Sequence, residues 1–501
     1  MKKLISILVT LTMLLAMAVP FSVSVTALDE TDAWCVIYAS DGSVVGYYDS
    51  MKTATGAAPA GSTIKLLKDI TYSGDGEDWD FWQNGALPSG ITVDMNGKTI
   101  TSNYSGGMAA YFKSCKDVVV KNGTFAGAQN LANCIRIHHR SGGASITFEN
   151  VKFLSPTESF VVFMGDNGIN ATFKDCYVEM AQNCISPQCK NVTVNLINTT
   201  IIRNSPRNNT FMFNMYYSCG GTNTINIYSG LYLDAATDKP MFRLTGTGNM
   251  NIYGGSFITK ANALFSNTNG TANVYGGQLG GFGNASLVLN AGTKDVNVVS
   301  TTFLSGTAKG ALGTGDTVYS HGNFNWYAKA DNVPVLRDGA AVRLVGDHNG
   351  IRFQSDISAA AIAAANAVKD EGTELSYGTL LVMADTVAAG TRVYTHAALD
   401  NAEADYRDLA ATADGITENA DGSITVNAAL VDVQTANLGR KITAVSYIKY
   451  TVDGNDVYVY SLVSAPNNSR SMSEVAEAAL GDTEAGYTAE QKAVLQGYVV
   501  S

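Results

Sequence analysis

The sequence predicts a mainly β protein: a right-handed parallel β-helix of about nine coils followed by a smaller α+β region. Three observations carry this prediction. A strand–turn–strand unit recurs roughly every 25 residues, a second strand recurs between its copies, and the repeat fades before residue 335 into segments with helix caps and paired strands.

The chain opens with Lys2 and Lys3, continues with an apolar run over 4–19, and reaches the small-residue site Val25-Thr26-Ala27. That layout is a secretory signal peptide, so residues 1–27 are expected to be removed. Pro20, Ser22, Ser24 and Thr26 interrupt the run before the ~20 apolar residues that span a bilayer. With no second long apolar stretch and no LPxTG sorting motif, the expectation is a secreted, extracellular protein. Release, or non-covalent retention at a cell surface, is expected, without membrane insertion after cleavage.

Charge is uneven. The whole chain carries −11, and from Val335 onward 22 acidic residues face 11 basic ones, which leaves the body of the mature chain nearly neutral. Nucleic acid is excluded as a partner, because phosphate backbones require clustered Lys and Arg. Seven cysteines (Cys35, Cys115, Cys134, Cys176, Cys184, Cys189, Cys219) form an odd set. Asn133-Cys134-Ile135 and Asn183-Cys184-Ile185 recur at equivalent repeat positions, so most read as buried packing residues rather than disulfides. Cys184 and Cys189 lack partners at zinc-ligand spacing.

Residues 28–90 read as a cap. Within them, 47–72 offers a short amphipathic segment, Pro-Ala-Gly and a strand. The insertion Gly74-Asp75-Gly76-Glu77-Asp78-Trp79-Asp80-Phe81-Trp82 follows, either a plug over the core or a ligand loop. There Trp79 and Trp82 are candidate sugar platforms, and Asp75, Glu77, Asp78 and Asp80 are candidate Ca²⁺ ligands; no other cofactor is expected.

Residues 91–330 hold the coils. VVVKNGTF (118–125), ITFENVKF (146–153), ATFKDCYV (171–178), VNLINTTI (194–201), INIYSGLY (225–232), MNIYGGSF (250–257), ANVYGGQL (272–279) and VNVVSTTF (296–303) share one pattern: alternation, a turn-forming pair, then an apolar closing residue. Alternation at period two is a strand, and Gly, Asn, Asp or Ser at the fifth and sixth places is a bend. Closing residues lie 28, 25, 23, 31, 25, 22 and 24 apart. Between them run NCIRIHH, SFVVFMG, NCISPQC, TFMFNMY, PMFRLTG, ALFSNTN and SLVLNAG, starting at 133, 159, 183, 210, 240, 263 and 286. A propeller wants units of about 40 residues, and a sandwich shows no fixed Gly and Phe columns. Stacking at about 4.8 Å predicts that Asn122, Asn150, Asp175 and Asn198 form an inward ladder bonding the next bend; beyond them the column becomes Ser229, Gly254, Gly276 and Ser300.

Residues 335–501 read as an α+β module, with strands at IRF, YGTLLV and a hairpin over 444–461, an Ala-rich helix near 357–370, and two final helices. Ser471-x-x-Glu474 and Thr488-x-x-Gln491 are capping boxes.

The stretches Ala58-x-x-Gly61-x-Thr63-Ile64-x-Leu66-Leu67-x-Asp69-Ile70 and Asp94-x-Asn96-Gly97-x-Thr99-Ile100 resemble the start of pectate-lyase-like β-helices of secreted bacterial proteins, over about residues 45–305. The C-terminal segments resemble a module of secreted Gram-positive proteins that has no activity to transfer. In that β-helix class, the resemblance implies proton abstraction by Arg or Lys with carboxylate-bound Ca²⁺. Arg203-Asn204-Ser205-Pro206-Arg207 is a partial version of its RxPxxR element with Pro206 one place late, making Arg203 and Arg207 candidate catalytic residues. The NTD, DD, GHG and RIK signatures of polygalacturonase-like hydrolases are absent.

The densest chemistry is Ile135-Arg136-Ile137-His138-His139-Arg140. If the isoleucines face inward, Arg136 and His138 face outward as candidate catalytic or binding groups, joined by Arg140. Coil stacking predicts Met164 beside His138 and Asp166 beside Arg140, with Gln188 and Lys190 on the following coil. Tyr216 and Tyr217 complete the expected face. A His near a carboxylate serves as general base, and an Arg row grips uronates or sulfates. The preferred expectation is a monomeric, non-catalytic binder of extracellular polysaccharide or surface glycan. The alternatives are a lyase or glycosidase on an acidic polysaccharide, and a passive spacer.

Overall fold

The computed structural model describes residues 28–500 apart from 73–87, 104–107, 128–132, 140–142, 156–158, 166, 204–209, 216–220, 236–238, 245–247, 260–263, 268–269, 282–295, 299–300, 307–316, 322–323, 347, 389–392 and 464–467. The expected signal segment 1–27 and the 74–83 loop lie outside the described residues.

Strands Cys35–Tyr38, Val44–Tyr48 and Thr63–Leu66 form an antiparallel start, and Thr63–Leu66 then pairs in parallel with Thr92–Asp94. Helix Met51–Ala57, capped by Ser50 on the Thr53 amide, buries Met51 and Ala54 in the core that continues down the solenoid. Above the first full rung, this helix covers apolar side chains that would otherwise face water.

From there the chain winds as a parallel β-helix. Every closing residue meets its successor in register: Phe125, Phe153, Val178, Ile201, Tyr232, Phe257, Leu279 and Phe303 are consecutive partners. Their interior rings stack, as in Phe125–Phe153 at 5.7 Å and Tyr232–Phe257 at 4.6 Å between centroids. A second, seven-stranded sheet runs through Met108–Lys113, Asn133–His139, Ser159–Gly165, Ile185–Pro187, Phe213–Met215, Phe242–Leu244 and Phe265–Asn267. Seven strands bound six complete turns, fewer than the nine coils expected, because the first and last rungs of the long sheet have no partner strand in this shorter sheet among the described residues. One coil carries a bulge. The Met212 carbonyl accepts from both Cys184 and Ile185 amides, so Phe213, the fourth residue of its segment, sits opposite Ile185.

The bend of each long-sheet rung differs from expectation in direction. Asn122, Asn150, Asp175 and Asn198 have φ of 59°, 54°, 53° and 45°, the left-handed conformation that Asn and Asp tolerate. Their side chains lie outside the bend, where Asn150 Nδ2 donates to Asn122 Oδ1 at 3.1 Å and Asn198 Nδ2 to Asp175 Oδ1 at 2.8 Å. The inside is taken by apolar neighbours such as Phe148 and Val151, both fully buried. A second ladder, on the outward strand face, links Asn273, Asn251, Asn226 and Asn195 through amide hydrogen bonds of 2.9–3.0 Å.

Six cysteines fall among the described residues, all of them buried free thiols. Burial pushes the thiols of Cys115 and Cys134 up to about 12. The Gly-rich stretch after Phe303 turns into antiparallel strands: Phe324–Asp331 pairs with Thr301–Gly306 and with Thr317–His321. An exposed parallel edge templates further pairing, and this strand closes it.

Beyond residue 335 two antiparallel sheets form. One contains Gly350–Ile357 and Ile424–Val431; the other contains Ser376–Met383, Ile442–Val452 and Asn455–Tyr460. Helices Met472–Gly481 and Ala489–Gln496 carry both expected capping boxes. The Ala-rich helix spans Ala359–Asn366, with Ala361 and Ala365 buried.

This C-terminal region docks along the solenoid. Tyr228, Tyr253 and Ile197 pack with Ile448, Tyr450, Val457 and Val459, and Tyr228 donates to Asp453 Oδ2 at 2.8 Å. Tyr228, Tyr253 and Tyr275 stack at 5.2 and 5.1 Å, one per rung.

Candidate functional site

The outward side of the shorter sheet gathers the densest set of polar groups that the sequence singled out. Parallel register puts Tyr111, Arg136, Val162 and Ser186 in one column, continued by Asn214 and Arg243. A neighbouring column holds Lys113, His138 and Met164, so His138 meets Met164 as expected. From Tyr111 to Arg243 the column covers five rung steps, about 24 Å at the usual strand spacing.

Local packing fixes these side chains. Ile135 and Ile137 are fully buried, which turns Arg136 and His138 outward by strand alternation. Tyr111 and His138 stack with ring centroids 5.8 Å apart and planes 9° apart, and the Tyr111 hydroxyl hydrogen-bonds His138 Nδ1. Arg136 Cζ lies 5.8 Å from the Tyr111 ring centroid, and Arg243 Cζ 5.0 Å from that of Phe211. Both guanidinium groups therefore rest on aromatic faces, an arrangement that orders a cation without neutralising it.

Two polar atoms on this face are sealed from water. Arg136 Nε and Asn214 Oδ1 have no hydrogen-bond partner among the described residues, and Asn214 as a whole is 9% exposed. An unmade hydrogen bond at a buried group costs about 1–3 kcal/mol, and because neither atom is accessible that cost is borne by the fold itself, leaving the terminal guanidinium nitrogens as the donors this face can present. Among the described outward residues of these two columns, Lys113, Arg136 and Arg243 are cationic and none is a carboxylate.

Other expected residues part company with this face. Lys190 starts the long-sheet strand Lys190–Ile197 and pairs with Asn167, because the chain turns its corner directly after Gln188 and Cys189. Arg203 is enclosed: its side chain and that of Asp234 are 0% exposed and form a bidentate pair of 2.7 and 2.6 Å. Its remaining contacts are Thr210 Oγ1 at 3.1 Å and the Gln182 carbonyl at 3.4 Å. The guanidinium ties neighbouring coils together inside the solenoid and does not reach a substrate. Arg140, Asp166, Arg207, Tyr216, Tyr217, Trp79, Trp82, Asp75, Glu77, Asp78 and Asp80 lie outside the described residues. No group of three or more His, Cys, Asp or Glu with metal-holding geometry occurs among the described residues.

Sequence reasoning missed Tyr111, Asn214 and Arg243. Arg243 sits in PMFRLTG at the outward place that follows a buried Phe, and comparing it with Arg136 in NCIRIHH would have found it.

No family model matches the chain, and neither does any curated protein. Among solved structures, it is similar to the enzymatically active domain of tailspike protein 2 of bacteriophage CBA120. That match has 10% identity, covers 88% of this chain and 80% of the other, and has a TM-score of 0.22.

Proposed function

We propose that the protein acts outside the cell as a non-catalytic binder of extended polysaccharide, laid along the outward face of the shorter sheet. The observation that carries this reading is the column of six rungs on this face, with Tyr111 and Arg136 at one end, Asn214 and Arg243 at the other and Val162 and Ser186 between them, its two guanidinium groups each resting on an aromatic ring. An extended face of about 24 Å with cationic groups near both ends suits an extended ligand that reaches Arg136 and Arg243 together. The two arginines, each resting on a ring, provide donors with fixed direction. The signal-peptide layout at 1–27 supports the extracellular placement, and the likeness of residues 45–305 to pectate-lyase-type solenoids supports a polysaccharide partner.

The test uses residues 28–501 with immobilised polygalacturonate, a sulfated glycan and a neutral galactan, with and without Ca²⁺. Retention that Arg136→Ala and Arg243→Ala each weaken by about tenfold, the size of one lost charged hydrogen bond, is the expected outcome. New reducing ends or absorbance from unsaturated products would overturn the non-catalytic assignment. Failure to bind any glycan would overturn the whole reading.

A further inference from the structure

A second site lies where the C-terminal region meets the solenoid, on bends of the long sheet rather than on the shorter sheet. A cleft of about 520 Å³ opens there, walled on one side by Lys174 and Asp175 of the bend column and on the other by His396, Asp400, Asp456 and Tyr458. That volume is within the range of small-ligand pockets, about 300–1,000 Å³.

The polar groups of this cleft are already oriented. Asp175 Oδ1 accepts from the Asn198 amide at 2.8 Å, Asp400 Oδ1 from the Tyr406 hydroxyl at 2.8 Å, and Asp456 Oδ2 is held by Lys449 at 2.7 Å. Each carboxylate is thereby fixed in place as an acceptor for hydroxyl donors, so binding loses little side-chain freedom. His396 is not available as a base. Its Nδ1 is engaged by the Tyr460 hydroxyl at 2.6 Å and its Nε2 by Asp408 Oδ2 at 2.9 Å, which leaves the ring as a wall beside Tyr458, 4.6 Å away between centroids.

Charge decides which sugars fit. Three carboxylates face the cleft, of which Asp456 is paired with Lys449, and the lysine that faces them, Lys174, is itself bridged to Glu149 at 3.0 Å, so the net charge around the cleft stays negative. An anionic ligand meets net repulsion here, the reverse of the arginine column. The carboxylates are held by hydrogen-bond donors rather than left bare, so their free valence suits hydroxyl groups.

We propose that this junction cleft is a second saccharide site, specific for an uncharged pyranose unit, gripped through its hydroxyls by Asp175, Asp400 and Asp456 against the Tyr458–His396 wall. Because both halves of the protein line it, occupancy also holds the C-terminal region onto the solenoid.

Calorimetry on residues 28–501 tests this with neutral oligosaccharides, their glucosamine counterparts and galacturonate oligomers. Saturable binding of a neutral oligosaccharide, weakened at least tenfold by Asp400→Asn and by Tyr458→Leu and unchanged by Arg136→Ala, is the expected result. Circular dichroism of each variant confirms that it folds. Glucosamine oligomers binding tenfold tighter than neutral ones would overturn the assignment in favour of a cation site, and absence of saturable binding to any neutral sugar would overturn it outright. Loss of glycan retention by Arg136→Ala with cleft binding intact would separate this site from the one on the shorter sheet.

Discussion

Removing the carboxylate of Asp234 is the sharpest perturbation the solenoid offers. Arg203 and Asp234 are both fully enclosed, and two hydrogen bonds of 2.7 and 2.6 Å join them in parallel. In Asp234→Ala the guanidinium keeps the Thr210 hydroxyl and the distant Gln182 carbonyl, yet its charge has lost its counterion in a dry interior. Breaking a buried pair from one side costs about 3–5 kcal/mol, a large part of the total stability of a typical domain. Replacing both partners, Arg203→Met with Asp234→Leu, removes the stranded charge and restores stability to within about 1–2 kcal/mol of the parent, since the favourable pairing is offset by the desolvation of both ions. Urea unfolding followed by circular dichroism measures all three proteins, and an unchanged denaturant slope shows that the unfolding unit is the same. A cost below about 1 kcal/mol for Asp234→Ala would mean that water reaches the guanidinium. Arg203 would then regain its standing as a candidate catalytic group.

Gly276→Asn restores the residue type of the earlier bends at a place where a Cβ would sit 2.3 Å from the Tyr253 carbonyl and 3.2 Å from Val459 Cγ2. Overpacking of this kind costs about 1–3 kcal/mol, so urea unfolding should show a lowered midpoint, and an unchanged midpoint would contradict the close stacking of the Tyr253 and Gly276 bends. Asp408 predicts a pH dependence. Burial pushes its carboxyl up, but hydrogen bonds from His396 and Tyr447 outweigh it and hold the group below the usual carboxylate value. Such a group stabilises the fold above its unfolded pKa near 3.9 and loses that contribution as pH falls through the lowered folded value. The melting temperature should therefore drop more between pH 5 and pH 3 in the parent than in Asp408→Asn, and parallel declines would refute the assignment. Finally, a thiol reagent at pH 8 should label at most one cysteine in the native protein against seven after unfolding, because six are buried free thiols. Rapid native labelling of two or more would show that the core opens.

The winding was legible because each coil repeats two local signals, alternation and a bend, and parallel pairing leaves no freedom once they are aligned. The closing residues Phe125 through Phe303 are direct neighbours for that reason. Corners were less legible. They are set by where the interior runs out of room, so Lys190 fell on the long sheet and Phe213 slipped one place around the Met212 bulge. The burial of Arg203 was within reach of the same alignment: Arg203 follows closing residue Ile201 by two places, as Asp234 follows Tyr232, and opposite charges in one column on consecutive coils announce a pair. Of the arginine column Arg136 was legible, as was His138 in the column beside it. Arg243 was within reach through its place in PMFRLTG, whereas Tyr111 was not, since the short strand Met108–Lys113 carries too little alternation to declare its faces.

The bend column shows why one repeat carries two residue types. Asn and Asp stand where the bend faces water and can bond to its neighbour above or below, as Asn150 does with Asn122. From Ser229 onward the bend faces the Asn455–Tyr460 strand instead. At Gly254 a Cβ would approach the Tyr228 carbonyl to 2.5 Å and the Tyr458 carbonyl to 3.3 Å. At Gly254, as at Gly276, the nearer contact is the carbonyl of the preceding rung, so the change from Asn to Gly marks a bend in which the sixth residue, Gly255 or Gly277, takes the positive φ, and the C-terminal strand adds the second contact. Tyr228 and Tyr253, one residue earlier on the same rungs, pack against that region. A surface that gives up its ladder and gains a tyrosine stack over the same rungs is shaped for permanent docking. Flexible tethering would leave those rings exposed, and the long Val335–Ser501 region would then have no reason to leave its mark on the sequence of the solenoid.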